Sequence, residues 1–131
     1  MIAWDERYRT GDEAIDRHHK LLFEFFNDFE IEIEERRGKN YLQKSMEFVE
    51  HYINCHFGIE EFCMCKNHCP FAERNQLAHE HFKKTFAAFK KEIDMGGYSD
   101  EIAIEMHLYL EDWIKSHIIG IDTHLKDAIG K

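Results

Sequence analysis

The chain has 131 residues, 44% of them apolar, and a formal net charge of −9; that length suits one domain, 1–131, able to bury its own core without cross-links. So acidic a chain is a poor partner for nucleic acid or an anionic membrane surface. No apolar run approaches the roughly 18 residues of a membrane span, and charges begin at Asp5, where a secretory leader would need apolar residues, so a cytoplasmic protein is expected.

In chain order, four segments carry apolar residues at helical spacing. Ile15, Leu22, Phe26, Phe29 and Ile33 line the first, and Leu42, Met46, Val49, Ile53 and Met64 the second. Phe82, Phe86, Phe89 and Ile93 line the third. Ser99 is placed to cap the fourth, whose stripe is Ile102, Met106, Tyr109, Trp113 and Ile114. Glycines fall mostly between these segments, and Pro70 is the sole proline. Four amphipathic segments joined by short turns predict an all-α, up-down-up-down four-helix bundle.

Polar groups interrupt these stripes at matching heights. His19 lies on the first, His56 and Glu60 on the second, His79 on the third and His117 on the fourth. In an alternating bundle the start of the first helix, the end of the second, the start of the third and the end of the fourth share one end. All five residues therefore converge there. A buried, unpaired Glu60 carboxylate would cost several kcal/mol, roughly, unless a cation met it, so a metal site is expected.

His56 and Glu60, four apart, share one helical face. Asp122 follows His117 by five residues, too far for one helical turn, so it must reach back from a distorted helix end or the loop beyond. His79 and His81 diverge by about 200° around a helix, which makes His81 outward-facing; one turn before His79 stands Asn75. Two carboxylates with several imidazoles suit two iron or manganese ions better than a single zinc, which four ligands satisfy.

Three stretches carry a resemblance over almost the whole chain. "AWDERYRTGDEAIDRHHKLLFEFFN" holds Trp4, Gly11, Ile15, Asp16, His19, Leu22, Phe23 and Asn27; "HFGIEEFCM" holds His56, Phe57, Glu60, Glu61 and Met64; "WIKSHIIGID" holds Trp113, His117, Ile118 and Asp122. Together they resemble the hemerythrin family, specifically its bacterial members. The family's third helix carries HxxxH, which Pro70 aligns with positions 75 and 79, so Asn75 stands where a histidine is usual and Cys69 where a tyrosine is. Six of seven expected ligands are then present: His19, His56, Glu60, His79, His117 and Asp122.

The resemblance implies two Fe ions bridged by Glu60, Asp122 and an oxo or hydroxo group. His19 and His56 would serve the iron with a vacant position for O2; His79, His117 and position 75 would serve the other. Phe57, Trp113, Ile114 and Ile118 would line an apolar O2 pocket. Asn75, a weaker donor than imidazole, leaves three outcomes open: reversible O2 binding intact, a second open position favouring oxidase, peroxidase or NO chemistry, or weak binding of the second metal. The expected function is reversible O2 binding for storage, transport or delivery. The alternatives are a diiron enzyme or NO-detoxifying protein, or a sensor acting on a partner in trans; the expected partner is O2, with a redox or O2-consuming protein as a candidate second one. Cys63, Cys65, His68 and Cys69 form a turn in which a second, zinc-type site is conceivable, with free thiols the default. Cys63, three residues after Glu60, is expected beside the metal pocket, and His18, His51, His107 and His124 are expected to be exposed or hydrogen-bonded.

Overall fold

The computed structural model describes residues 2–129, apart from the side chain of Gln43; Met1, Gly130 and Lys131 of the expected domain lie outside the described residues. Four long helices account for most of the chain: α1 (Glu13–Glu34), α2 (Gly38–Lys66), α3 (Ala72–Gly96) and α4 (Asp100–Gly120), followed by a short α5 (Leu125–Ile129). Each helix packs on its neighbour in chain order, and α4 closes on α1. The short connections force each helix to run against the one before it. This is the predicted four-helix bundle.

Caps and turns set the helix ends. The Asp12 side chain accepts from the Ile15 backbone N–H at the start of α1, and Ser99 accepts from Ile102 at the start of α4. Arg36, at φ 59°, reverses the chain between α1 and α2. Gly38, two residues on, lies against the Tyr98 hydroxyl, so a Cβ there would have to displace that ring end. The entry segment is held at two points. Asn27 exchanges two 2.8 Å hydrogen bonds with the Ile2 backbone, and the Asp16 carboxylate accepts from both Thr10 N–H and Thr10 Oγ1 at 2.8 Å.

The predicted stripes form the core. Leu22, Phe23, Phe26, Phe29, Val49, Phe82, Phe86, Met106, Leu110 and Ile114 are buried together. A smaller cluster of Ile15, Met64, Cys69 and Leu125 closes the end where α1 starts and α2 stops. Between the two clusters lies a layer of buried polar side chains. Among the described residues, no helix is long and apolar enough to cross a membrane.

Candidate metal centre

Four helices and one distorted helix end deliver that polar layer. His19 comes from α1, His56 and Glu60 from α2, Asn75 and His79 from α3, and His117 from α4; all six, with Asp122, are buried. Helix α4 ends at Gly120, Ile121 leaves helical geometry at φ −126° and ψ −60°, and a 3-10 turn spans Asp122–His124. That break brings Asp122 back over His117, as the five-residue spacing required.

The imidazoles form two pairs through their Nε2 atoms. His19 and His56 face each other at 3.0 Å, and His79 and His117 at 3.1 Å. Both carboxylates span the pairs. Glu60 places Oε1 against His56 and 3.1 Å from His19, and Oε2 3.3 Å from His79 and 4.0 Å from His117. Asp122 places Oδ2 3.4 Å from His19 and Oδ1 3.1 Å from His117. Two groups of donors result, one of His19, His56 and Glu60 and one of Glu60, His79, His117 and Asp122, and within each the ligand atoms lie within 4.8 Å of one another.

Protein groups alone do not satisfy this cluster. Glu60 Oε2, both Asp122 oxygens and both polar atoms of the Asn75 amide are buried without a hydrogen bond. Close approach without hydrogen-bond alignment is what donors show when they converge on a point between them. Each such buried atom costs about 1–3 kcal/mol if left unmet. Imidazole nitrogens and carboxylate oxygens are also the donors that first-row divalent metals prefer, so the residues fit a metal site.

Without metal, protons must stand between these atoms. Burial alone would raise the Glu60 carboxyl, but the charge of His56 and the close approach of the His19, His56 and His79 imidazoles hold it well below the usual range. Burial and the charge of Glu60 push Asp122 the other way, upward. Burial opposes protonation of His19 and His117, yet Glu60 and Asp122 for the first, and Asp122 with Glu60 for the second, raise both above the ordinary 6.5.

These directions predict a pH dependence. His19 and His117, raised in the folded state, contribute stability that is complete below 6.5 and is lost as pH rises through their folded values. Asp122, also raised, acts in the same direction from 3.8 upward, whereas the lowered Glu60 contributes above 4.5 and loses its contribution on acidification. The metal-free chain will therefore lose stability as pH rises above 6.5. Metal affinity will rise over the same interval, because ligation displaces those protons. Melting temperatures of metal-free and metal-loaded protein, measured from pH 5 to pH 9, should move apart; a constant gap would contradict the assignment.

The family profile described as "Hemerythrin HHE cation binding domain" matches residues 10–129. The chain belongs to the hemerythrin family. It is 30% identical over 132 positions to a bacteriohemerythrin of Clostridium acetobutylicum, covering 97% of this chain and 100% of that protein. It is 24% identical over 129 residues to a bacteriohemerythrin of Stenotrophomonas maltophilia, covering 98% of this chain and 82% of that one. A Pseudomonas aeruginosa bacteriohemerythrin is 24% identical over 130 residues, with 98% and 81% covered.

In this hemerythrin domain the aromatic residues flank the imidazoles closely. Phe57 stacks on His79 at 3.7 Å and Trp113 on His117 at 4.4 Å. Ile114 and Ile118 are buried, as are Asn75 and His79, while His81 is exposed on the outer face of α3. Two residues near the centre escaped the pattern reading. Tyr52, one turn before His56, stacks on its ring at 4.6 Å, and His18 meets its outer nitrogen. Neither is signalled by ligand spacing; Tyr52 reads as an ordinary stripe residue.

The cysteine-rich turn does not close on a metal. Helix α2 stops at Lys66, and His68 takes φ 54°, so Cys65, His68 and Cys69 are not carried round one helical face. Cys65 is exposed while Cys69 is buried, and all four cysteines are free thiols. No cysteine joins a metal-holding group among the described residues. Cys63 Sγ lies 3.9 Å from Asp12 Oδ2 and 3.6 Å from the Asn67 amide, and burial pushes its thiol up. His107 departs from expectation, being buried with neither ring nitrogen hydrogen-bonded among the described residues. It is buried against Phe26 and Phe29, with Glu111 Oε2 3.2 Å from Nε2. The His107–Glu111 spacing of four, visible in the sequence, was the missed signal.

Proposed function

We propose that the chain is a non-heme diiron protein that binds O2 reversibly in a cytoplasmic setting, for storage, transport or delivery. His19 and His56 would hold one ion and His79 and His117 the other, with Asn75 beside the second and the Glu60 and Asp122 carboxylates shared between the two. The observation that carries this reading is that both buried carboxylates offer one oxygen to each imidazole pair, which a single ion would not need.

Two ferrous ions bound there supply the electron pair that reversible O2 binding draws on. The rest falls to the chain's own residues. Phe57 and Trp113 lay their rings on His79 and His117, and together with the buried Ile114 and Ile118 they would keep bulk water from the cluster. Water exclusion preserves reversibility, since charge separation is harder where the dielectric is low. The positions of the imidazoles are set by helices rather than loops, so little rearrangement accompanies loading.

The test is iron stoichiometry together with the optical spectrum under air and then argon. Two irons per chain and bands that form in air and vanish under argon are the expected result. One iron, or irreversible bleaching, would reject reversible binding. A second reading, a diiron oxidase, peroxidase or NO-detoxifying protein, draws on one observation: the Asn75 amide is buried with no hydrogen bond and is a poorer donor than the imidazole usual in the family. It requires turnover of peroxide or NO above that of free iron, in the same preparation.

A further inference from the structure

His18 stands outside the proposed ligand set, yet it touches that set from behind. Its Nδ1 lies 3.1 Å from Nδ1 of His56, with the rings 5.2 Å apart and inclined at 68°. The opposite nitrogen of His56, Nε2, is the one that meets Glu60 and His19. A neutral imidazole that gives its Nε2 lone pair to a metal carries its proton on Nδ1. That N–H needs an acceptor, and the fold supplies the lone pair of His18 Nδ1. His18 must then keep its own proton on Nε2.

Two of the other imidazoles, His19 and His79, are backed differently. Nδ1 of His19 has no hydrogen-bond partner, and Nδ1 of His79 has the Glu61 carboxylate 3.6 Å away. Behind His56 the neighbour is thus a ring rather than a carboxylate, and it comes from a different helix, α1 against α2. The contact forms one wall of a mostly apolar surface pocket of about 270 Å³, shared with Leu21, Phe48, Tyr52 and Cys55. Of the proposed ligands, His56 is the one placed at that opening, where water could compete for its N–H.

We propose that His18 is a positioning residue of the centre: by accepting the Nδ1–H of His56 it fixes that ring's tautomer and rotation and slows loss of the metal held with His19. This rests on the diiron reading. Partners behind a ligating histidine typically govern metal affinity by about 10–100-fold, and one at a pocket mouth should lie near the lower end.

Three iron-loaded proteins decide the matter: wild type, His18→Phe, which fills the space without an acceptor, and His18→Gln, which restores an acceptor oxygen. Iron transfer to a ferrous chelator should be about tenfold faster from His18→Phe and within about threefold of wild type from His18→Gln. The metal-free melting temperatures of the three should agree, separating positioning from packing. A wild-type rate in His18→Phe, or a His18→Gln rate equal to that of His18→Phe, overturns the proposal. Nitrogen-15 spectra of the zinc-loaded wild type give a check that needs no variant: the His56 ring must show an exchange-protected Nδ1–H, and its absence is equally fatal. If the wild type takes up no iron, the diiron reading itself fails, a result distinguishable from normal loading with an indifferent His18→Phe.

Discussion

On the proposed diiron reading, Glu60→Gln will strip the chain of both ions, with apparent iron affinity lowered on the order of 1,000-fold or more. Glu60 is the one residue common to the two donor groups, with one oxygen near His19 and His56 and the other near His79 and His117. Glutamine keeps the volume but removes the charge that balances a divalent cation and replaces one oxygen with an N–H₂ that cannot ligate. Changing a group that merely hydrogen-bonds to a ligand costs about 10–100-fold; removing a bridging anion acts on both ions and must exceed that. Bound iron and the rise in melting temperature on loading are the measurements. Both should vanish while the metal-free variant keeps its helical circular dichroism. Two irons retained in Glu60→Gln would show that the carboxylate does not bridge.

Asn75→His should have the opposite sign. Position 75 lies one turn before His79 on α3, and both are fully buried, so an imidazole at 75 projects to the same side. It would give the second ion a third nitrogen donor in place of an amide that now has no hydrogen bond. Release of the second iron should slow by on the order of 100-fold, the upper end of what even an outer partner contributes, and autoxidation should slow with it. Biphasic iron release that becomes monophasic in the variant is the readout. Unchanged release and unchanged autoxidation would place position 75 away from the metal. Peroxide or NO turnover that survives Asn75→His would separate that activity from the asparagine.

Asn75 illustrates how much local spacing reveals and where it stops. Its place one turn before His79 is readable from the sequence, as are the buried stripe positions of His19, His56, Glu60 and His117, because a helix repeats every 3.6 residues and a polar residue on an apolar stripe has to enter the core. The bundle follows from the same stripes, and its alternation puts the polar residues at one height. The cysteine-rich turn shows the limit. Its i, i+3, i+4 spacing means something only while the helix continues, and the helix ends at Lys66.

What the sequence by itself determined is therefore the architecture, the family and the layer of imidazoles and carboxylates. Periodicity is local, and so is each residue's choice of helical face. The tertiary structure alone decided which Glu60 and Asp122 oxygen faces which imidazole, that His18 on α1 reaches the outer nitrogen of His56 on α2, and that the thiols of the turn part company. Those are distances between atoms on different helices. They depend on how deeply the core side chains let the helices approach and rotate, and no spacing along one chain segment contains that quantity.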